Sequence, residues 1–306
     1  MERMRCYDGK IIYDSPILII NIGKFNYNLM LREVYKPSLP RPFLKWAGGK
    51  GRLIGQYIKH FPTNYRNYHE PFLGGGAVFF YLRPRLSILT DINPDLITTY
   101  CCVRDRLQEL ISLLKEHEHY HSKDYYYNLR AKPGKNDVEI AARFIYLNRT
   151  CFNGLYRVNS KGEFNVPLGR YNNPKICQID LLFSASELLK NAEVKVADFE
   201  QILDRARGSD DFVYLDPPYH PISDTSYFTA YSRHPFGEIE QTRLRDSCAE
   251  LASRGVKVMI SNSDCQFIRQ IYSEVNFNIY PIKANRAINS NVKKRGTVDE
   301  LIITSY

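Results

Sequence analysis

Short apolar runs alternate with helical stretches along most of this chain. Runs rich in β-branched and aromatic residues, bounded by turn-forming residues, predict strands at 68–73, 86–91, 194–198, 212–216 and 256–261, with 298–306 as a further candidate. Apolar residues at 77–82 and helical spacing at 107–114 predict helices. Because strands alternate with helices, we expect an α/β fold with a doubly wound, mostly parallel sheet that carries helices on both faces.

A longer, more polar and more helical stretch interrupts this alternation between about 95 and 195. Its part at 148–175 is rich in turn-forming residues. At the other end of the chain, residues 1–36 show no sustained periodicity, and Pro37 separates them from the organised region. We expect these residues to form a poorly ordered N-terminal extension. Met30 is a candidate translation start, and the alternative is an ordinary short N-terminal arm.

Composition and charge narrow the class of protein. The 306 residues carry a formal net charge of +9, which favours an anionic partner such as nucleic acid, although a solvated basic surface gives the same balance. The seven cysteines include no C-x-x-C pair, so we expect reduced thiols in a cytoplasmic protein, with neither a disulfide framework nor a metal site. No apolar run approaches the length of a membrane helix, so we expect no membrane partner.

The sequence Asp-Pro-Pro-Tyr at 216–219 directly follows a predicted buried strand. The alternative without a catalytic role is that an acid and two prolines simply end the strand. In the catalytic interpretation, the Asp216 carboxylate and the Pro217 carbonyl accept the two N–H bonds of an exocyclic amine on a nucleobase. This localises the nitrogen lone pair and stabilises the charge that develops during methyl transfer. The ring of Tyr219 offers a face for an extruded base.

A glycine-rich turn at 70–76 follows the first predicted strand of the organised region and lets a ligand approach the backbone closely. It lacks the full dinucleotide pattern, because Phe79 stands where the last glycine belongs. Asp91 ends the next strand and can bind a ribose diol, although it is equally suited to cap a turn. Since nothing suggests a diphosphate site, the nucleoside of S-adenosylmethionine suits this region better than NAD.

The segment 43–50 ends in Gly-Gly-Lys but is not a P-loop. Leu44 stands at the first required glycine, and Gly51 replaces the required Ser or Thr. Trp46 is the only tryptophan of the chain. A core aromatic residue is the alternative to a binding role for it.

Basic residues interleave with aromatic residues in two stretches. Residues 149–175 contain five Lys or Arg against only Glu163, and 281–296 contain five Lys or Arg and no acid. Both compositions suit contacts with phosphates and bases. A solvated basic loop remains the alternative for each.

These stretches together resemble the Dam-type DNA adenine-N6 methyltransferases from about Arg41 to the C-terminus, in the family's order. The matching motifs are F-L-K-W-A-G-G-K at 43–50, E-P-F-L-G-G-G at 70–76, D-I-N at 91–93, L-N-R at 147–149, N-G-L-Y-R at 153–157, G-E-F-N-V-P-L-G at 162–169, D-P-P-Y at 216–219, F-T-A-Y at 228–231, I-S-N-S at 260–263 and V-D-E-L at 298–301.

The resemblance implies an S-adenosylmethionine-dependent methyltransferase fold with an inserted, mainly helical target-recognition domain. The catalytic domain would comprise 37–95 and 195–306, and the target-recognition domain 96–194. By residue-to-residue carry-over, the cofactor would contact Trp46, Lys50, Asp91 and Asp216. The flipped adenine would be held by the catalytic residues Asp216, Pro217 and Tyr219.

Family members of this type methylate adenine in GATC within double-stranded DNA. The residues that would read or wedge the duplex are Phe152, Asn153, Leu155 and Arg157. The first of these positions is often Tyr in the family, so Phe152 keeps the wedge but loses a hydroxyl group. Arg157 has the geometry of a bidentate guanine reader.

Two alternatives compete with this interpretation. Enzymes that methylate cytosine N4 or a glutamine amide also carry motifs like Asp-Pro-Pro-Tyr, but the recognition stretch at 147–169 argues against them. A non-catalytic DNA-binding protein has no reason to combine this motif with the glycine turn and the strand-end acid.

A restriction endonuclease that acts on the same site is a possible partner, without a stable complex.

Overall fold

The computed structural model describes residues 39–46, 48–221, 236–285 and 297–306, with the backbone alone at 284–285 and 297–299. It also describes the backbone of three short N-terminal strands. The chain divides into two compact units, Met1–Leu39 and Pro40–Tyr306.

The first unit contains a small antiparallel sheet in the order β1-β2-β3. Its strands are β1 (Met4–Tyr7), β2 (Lys10–Tyr13) and β3 (Ile20–Asn21). The hydrophobic pattern did not indicate these strands, because each is too short for a repeating alternation to be recognised. The other residues of 1–38 lie outside the described part of the chain.

The second unit contains seven strands and nine α-helices among the residues described. The strands are β4 (Asn67–Glu70), β5 (Leu86–Asp91), β6 (Ala192–Val196), β7 (Asp211–Leu215), β8 (Lys257–Ser263), β9 (Asn278–Asn285) and β10 (Thr297–Thr304). The helices are α1 (Ile54–Tyr57), α2 (Ala77–Leu82), α3 (Pro94–Asp105), α4 (Leu107–His119), α5 (Lys123–Ala131), α6 (Asp137–Thr150), α7 (Ile179–Leu189), α8 (Glu238–Ser253) and α9 (Gln266–Ser273).

The strand order of the large sheet is β6-β5-β4-β7-β8-β10-β9. The strands from β6 to β8 are parallel, and β10 pairs antiparallel with both β8 and β9. The chain moves outward from β4 through β5 to β6 and then returns to the other side of β4 as β7. This reversal makes the carboxyl ends of β4 and β7 a topological switch point, where open α/β sheets bind their ligands.

Both faces of the sheet are buried, as the doubly wound fold requires. Along β7, Phe212 and Tyr214 belong to one hydrophobic cluster, whereas Val213 and Leu215 belong to another. Successive side chains of a strand point to opposite faces, so the two clusters lie on the two sides of the sheet. The predicted α/β class and mostly parallel sheet are confirmed.

Several predicted element boundaries agree with the structure and others shift. The strand at 86–91 and the helix at 77–82 occur with the predicted bounds. Helix α6 instead continues to Thr150, into the stretch at 148–175 expected to consist of turns. The reason is burial, because Leu147, Asn148 and Thr150 all pack inside the protein.

Helices α3 to α7 are inserted between β5 and β6. Their buried residues Leu110, Tyr126 and Phe144 belong to the same hydrophobic cluster as Tyr68 and Phe80 beside the sheet. The insertion therefore packs as part of the unit that begins at Pro40. Its role as a separate target-recognition domain stays a prediction. Within the described ranges, no helix combines the length and apolar character needed to cross a membrane.

Candidate active site

The glycine-rich turn lies between β4 and α2, at the switch point of the sheet. Gly74 has φ +46°, a left-handed conformation that favours glycine. A Cβ atom at Gly74 would lie 2.6 Å from Nε1 of Trp46, and one at Gly75 would lie 3.0 Å from the Trp46 Cβ. The glycines therefore allow the Trp46 side chain to lie directly on the turn.

Asp91 is the last residue of β5, and its carboxylate holds the same turn from the other side. Oδ2 accepts a hydrogen bond from Gly74 N at 3.0 Å, and Oδ1 accepts one from Asn93 N at 3.0 Å. Burial raises the pKa of Asp91, while these backbone donors oppose the increase. A carboxylate oxygen can accept more than one hydrogen bond, so Asp91 is able to bind a ligand hydroxyl as well.

Glu70 ends β4 beneath the turn and is buried. Its Oε2 accepts hydrogen bonds from the Tyr68 hydroxyl at 2.7 Å and from Phe79 N at 3.2 Å. Burial raises the pKa of Glu70 from 4.5 to about 8, despite the opposing effect of the Tyr68 hydroxyl. Glu70 ties the strand to the first turn of α2, a role that its place in the glycine motif did not indicate.

Asp216 follows β7 and forms an ion pair with the buried Lys50. The Lys50 Nζ lies 2.8 Å from Asp216 Oδ1, and the lysine side chain is 4% exposed. The same ammonium donates to Gly48 O at 2.7 Å, and Ser261 Oγ donates to Asp216 Oδ1 at 2.7 Å. Both side-chain contacts use Oδ1, so the orientation of the carboxylate is fixed from one side.

The rest of the Asp-Pro-Pro-Tyr segment is held by α8, β8 and β10. The Tyr219 hydroxyl donates to Glu300 Oε2 at 2.9 Å, and Lys50 Nζ lies 4.6 Å from the centre of the Tyr219 ring. Burial raises the pKa of Tyr219 well above its ordinary value. Gln241 Nε2 donates to Pro218 O at 2.9 Å. Pro217 is buried within this segment.

The residues predicted to read DNA lie on a separate segment that follows α6. Phe152 is 48% exposed, and Asn153 has φ +55°. Leu155 is half-buried. Arg157 is exposed, and its Nε donates to Asn165 Oδ1 at 2.7 Å. Isolated antiparallel bridges at 151/168 and 158/164 make this segment a hairpin-like loop, called here the recognition loop (residues 152–169).

The structure thus brings the predicted residues together in two groups. Lys50, Asp216 and Tyr219 form one group, and Trp46 and Asp91 form the other at the glycine turn. The four predicted DNA-reading residues lie on the recognition loop, apart from the ion pair.

Sequence reasoning gave no role to several polar residues that hold this site. Ser261 and Glu300 lie within motifs of the family resemblance, but only their contacts with Asp216 and Tyr219 show what they do. Gln241 had no signal in the sequence, since it is an ordinary polar residue in a helix. A cavity of about 440 Å³ lies between the recognition loop and helices α5 and α6, and does not coincide with either group.

Other predicted features lie outside the described residues. These are the motif at 228–231 and the basic residues Arg286, Lys293, Lys294 and Arg295. In the ranges that the structure describes, no cluster of three His, Cys, Asp or Glu side chains could hold a metal ion.

The structure is an α/β fold with a mostly parallel sheet, and the predicted residues Asp91 and Asp216 follow or end strands next to its switch point. Residues 46–288 match the family model described as D12 class N6 adenine-specific DNA methyltransferase. The chain belongs to this family, and it is therefore an enzyme that transfers a methyl group to N6 of adenine in DNA. This membership sets aside both a cytosine-N4 or glutamine methyltransferase and a non-catalytic DNA-binding protein.

Curated relatives agree with the family. The chain is 45% identical over 274 residues to the Type II methyltransferase M1.LlaDCHI of Lactococcus lactis subsp. cremoris, covering 87% of this chain and 95% of the relative. It is 43% identical to the Type II methyltransferase M.MjaIII of Methanocaldococcus jannaschii, covering 87% of this chain and 99% of the relative. It is also 37% identical to the DNA adenine methylase of Haemophilus influenzae, covering 89% and 96% respectively.

Proposed function

We propose that this enzyme transfers the methyl group of S-adenosylmethionine to a flipped adenine within GATC in duplex DNA. The observation that carries the proposal is the fixed Asp216 carboxylate at the carboxyl end of β7, held by Lys50 and Ser261 beside Tyr219. It supplies a preorganised acceptor next to an aromatic face, which is the combination that an exocyclic amine requires.

The groups at the glycine turn fit S-adenosylmethionine as the methyl donor. A ribose diol can hydrogen-bond to Asp91, whose carboxylate favours a cationic ligand over a diphosphate, whereas the charge of Asp216 is compensated by Lys50. Trp46 adds a flat apolar surface at the turn. When bound, S-adenosylmethionine supplies a methyl carbon made electrophilic by the attached sulfonium.

Asp216 and Pro217 would activate the attacking nitrogen. Because Lys50 and Ser261 engage Oδ1, we assign Oδ2 of Asp216 to one N–H of the adenine amine and the Pro217 carbonyl to the other. The N6 lone pair forms the new N–C bond, and the electron pair of the breaking C–S bond goes to sulfur. The methylated nitrogen then loses one proton, which Asp216 is placed to accept or pass to water.

Tyr219 would hold the extruded base by stacking. Its hydroxyl bond to Glu300 and the nearby Lys50 ammonium fix the ring in place before the base arrives. A fixed aromatic face lowers the entropy lost on binding a flipped base.

The GATC proposal is supported by the recognition loop. Arg157 donates from Nε to Asn165 Oδ1 at 2.7 Å and from one terminal nitrogen to Asn165 O at 3.5 Å, which orients the guanidinium. Its other terminal N–H groups remain to contact a guanine edge. The Type II names of two relatives support a restriction endonuclease of the same specificity as a partner in the cell, without a stable complex.

The direct experiment measures transfer of a labelled methyl group from S-adenosylmethionine to three duplexes. These contain GATC, a single-base variant of it, and GATC in which the adenines are already N6-methylated. We expect label only in the first duplex, recovered as N6-methyladenine. Equal labelling of the variant would contradict GATC specificity, and label in cytosine would contradict the target base.

A further inference from the structure

Tyr156, a residue of the recognition loop, stacks directly on the tryptophan of the glycine turn. The centres of the Tyr156 and Trp46 rings are 5.9 Å apart, with 20° between the ring planes. Tyr156 also stacks with Phe144 of α6 at 5.1 Å and 28°, and Trp46 stacks with the same Phe144 at 6.4 Å and 18°, so the three rings form one cluster. Trp46 is thus enclosed between the glycine turn and a tyrosine of the recognition loop.

Hydrogen bonds and close packing also join the backbone segments on the two sides of this stack. Asn148 of α6 accepts a hydrogen bond from Lys45 N at 2.8 Å and donates to Lys45 O at 2.7 Å and to Gly154 O at 3.3 Å. A Cβ atom at Gly154 would lie 2.5 Å from Cδ of Lys45. The segment before Trp46 and the beginning of the recognition loop are therefore packed against each other without space between them.

We propose that Tyr156 is a positioning residue that couples the methyl-donor site to the recognition loop. This inference rests on the proposed function, in which Trp46 contacts the donor and the recognition loop contacts DNA. A donor that packs on Trp46 restricts the Tyr156 ring, and through it the loop that carries Arg157. By linkage, DNA that fixes the loop restricts Trp46 to the same extent.

The stack is a short and direct route for such coupling. Aromatic pairs at this separation contribute free energy beyond their buried area, and they resist displacement of one ring without the other. Tyr156 is half-buried, and burial raises its pKa, so its ring stays neutral during function. The hydroxyl has a side-chain hydrogen bond with Asn93, and we assign the coupling to the ring stack and not to this bond.

The test compares duplex affinity with and without saturating S-adenosylhomocysteine, which cannot donate a methyl group. For the wild-type protein we expect about tenfold tighter binding of a GATC duplex when S-adenosylhomocysteine is present. In Tyr156→Leu, S-adenosylhomocysteine should tighten duplex binding by no more than about twofold, whereas Tyr156→Phe should keep the full effect. Tyr127→Leu is the matched control, because Tyr127 is a half-buried tyrosine of α5 whose ring packs against Arg130 and Tyr126.

A second measurement uses the wild-type protein alone. Trp46 is the only tryptophan of the chain, so its emission reports the stack directly. We expect duplex binding without S-adenosylhomocysteine to change the Trp46 emission. Unchanged emission on binding, or full coupling in Tyr156→Leu, would overturn the inference. Failure of the wild-type protein to bind S-adenosylhomocysteine, or to prefer GATC, would instead overturn the proposed function.

Discussion

At the scale of single residues, the main charged contact of the site is the pair of Lys50 and Asp216, and the lysine of this pair is buried. Lys50 is almost inaccessible, and its ammonium is neutralised by Asp216 and bound by Gly48 O. An unpaired charge in such a place would be strongly destabilising, so each partner depends on the other. Ser261 adds a neutral donor that lets the carboxylate keep its orientation.

Asp216→Ala removes the partner of Lys50, so a thermal melt must first show that the variant is folded. In the folded variant, methyl transfer should be abolished and duplex binding should be nearly unchanged. In the proposed mechanism the carboxylate acts on the amine in the transition state, so its loss should reduce the rate at least about a hundredfold, or about 3 kcal/mol. The rate is measured with labelled donor, and binding by a gel or fluorescence titration. Asp210→Ala, an exposed acid before the same strand, is the control. Near-normal turnover of the Asp216 variant would remove the proposed mechanism.

The raised pKa of Glu70 should make the free energy of unfolding depend on pH. Its pKa is 4.5 in an ordinary environment and about 8 in the folded protein, so the folded state binds the proton more tightly. The free energy of unfolding should therefore decrease as the pH rises from about 4.5 to about 8 and stay lowered above it, by at most about 4 to 5 kcal/mol.

Glu70→Gln should remove this dependence, because glutamine keeps an acceptor for Tyr68 and Phe79 and carries no charge. The gain in the free energy of unfolding of the variant over the wild type should be larger at pH 8.5 than at pH 5. Urea unfolding at the two pH values measures the difference. Glu109→Gln is the control, since Glu109 is exposed and its pKa is lowered by Arg106. A wild-type profile that rises from pH 5 to pH 8.5 would contradict the assignment to Glu70.

At the scale of elements, loops with left-handed residues place the functional side chains. Asn153, at φ +55°, and Gly154, at φ +64°, turn the chain sharply after α6 and start the recognition loop. Gly74 does the same after β4. Both loops start from rigid elements, but they differ in burial, because the glycine turn is mostly buried whereas Phe152 and Arg157 of the recognition loop are exposed.

Arg157→Ala should weaken discrimination at one guanine of the target by about 1 to 3 kcal/mol. Affinity for S-adenosylhomocysteine should not change, because Arg157 lies on the recognition loop and contacts Asn165. Methylation rates on GATC and its single-base variants, measured at two salt concentrations, give the result. In the exposed control Arg170→Ala, binding to all duplexes should weaken alike. An Arg157 variant with full sequence preference would identify a phosphate contact instead.

Gly74→Ala should weaken binding of S-adenosylhomocysteine about fivefold or more. A Cβ at this position would force the Trp46 ring to move, and the positive φ adds strain of about 1 to 3 kcal/mol. Calorimetry measures the affinity, and Trp46 emission reports the ring movement. Gly55→Ala is the matched control, because a Cβ there meets nothing within 4 Å. Equal affinities of the two variants would show that the donor does not use this turn.

At the scale of the whole molecule, the two compact units differ in their relation to the function. The family match begins at residue 46, within the unit Pro40–Tyr306 that contains all the site residues described above. The unit Met1–Leu39 contributes a small antiparallel sheet of its own.

Deletion of residues 1–36 should therefore leave methyl transfer and the thermal midpoint of the remaining chain unchanged. The reason is that the larger unit contains its own sheet and both hydrophobic clusters. Soluble yield, a thermal melt and the methylation assay check this. Loss of soluble protein on truncation would show that the first unit stabilises the second.

The sequence predicts the sheet better than the contacts that complete the site. Local apolar runs predict strands such as β5 and β7, and the order of the motifs predicts Lys50, Asp91 and Asp216 as site residues. The pairing of Lys50 with Asp216, and of Tyr219 with Glu300, joins residues that are far apart in the chain. Periodicity carries no information on such pairs. The Tyr156–Trp46 stack was missed for the same reason, although both residues stand in recognised motifs.

The position of β10 has a consequence for the enzyme during its biosynthesis. This strand lies between β8 and β9 in the sheet but follows both in the chain. Until the ribosome has released residues 297–304, β9 has no neighbour to pair with, and Tyr219 has no Glu300 to receive its hydroxyl. A nascent chain that already carries the Asp-Pro-Pro-Tyr segment therefore still lacks the hydroxyl contact that fixes the Tyr219 ring. The contact between Tyr219 and Glu300 would form only after residues 297–304 have left the ribosome.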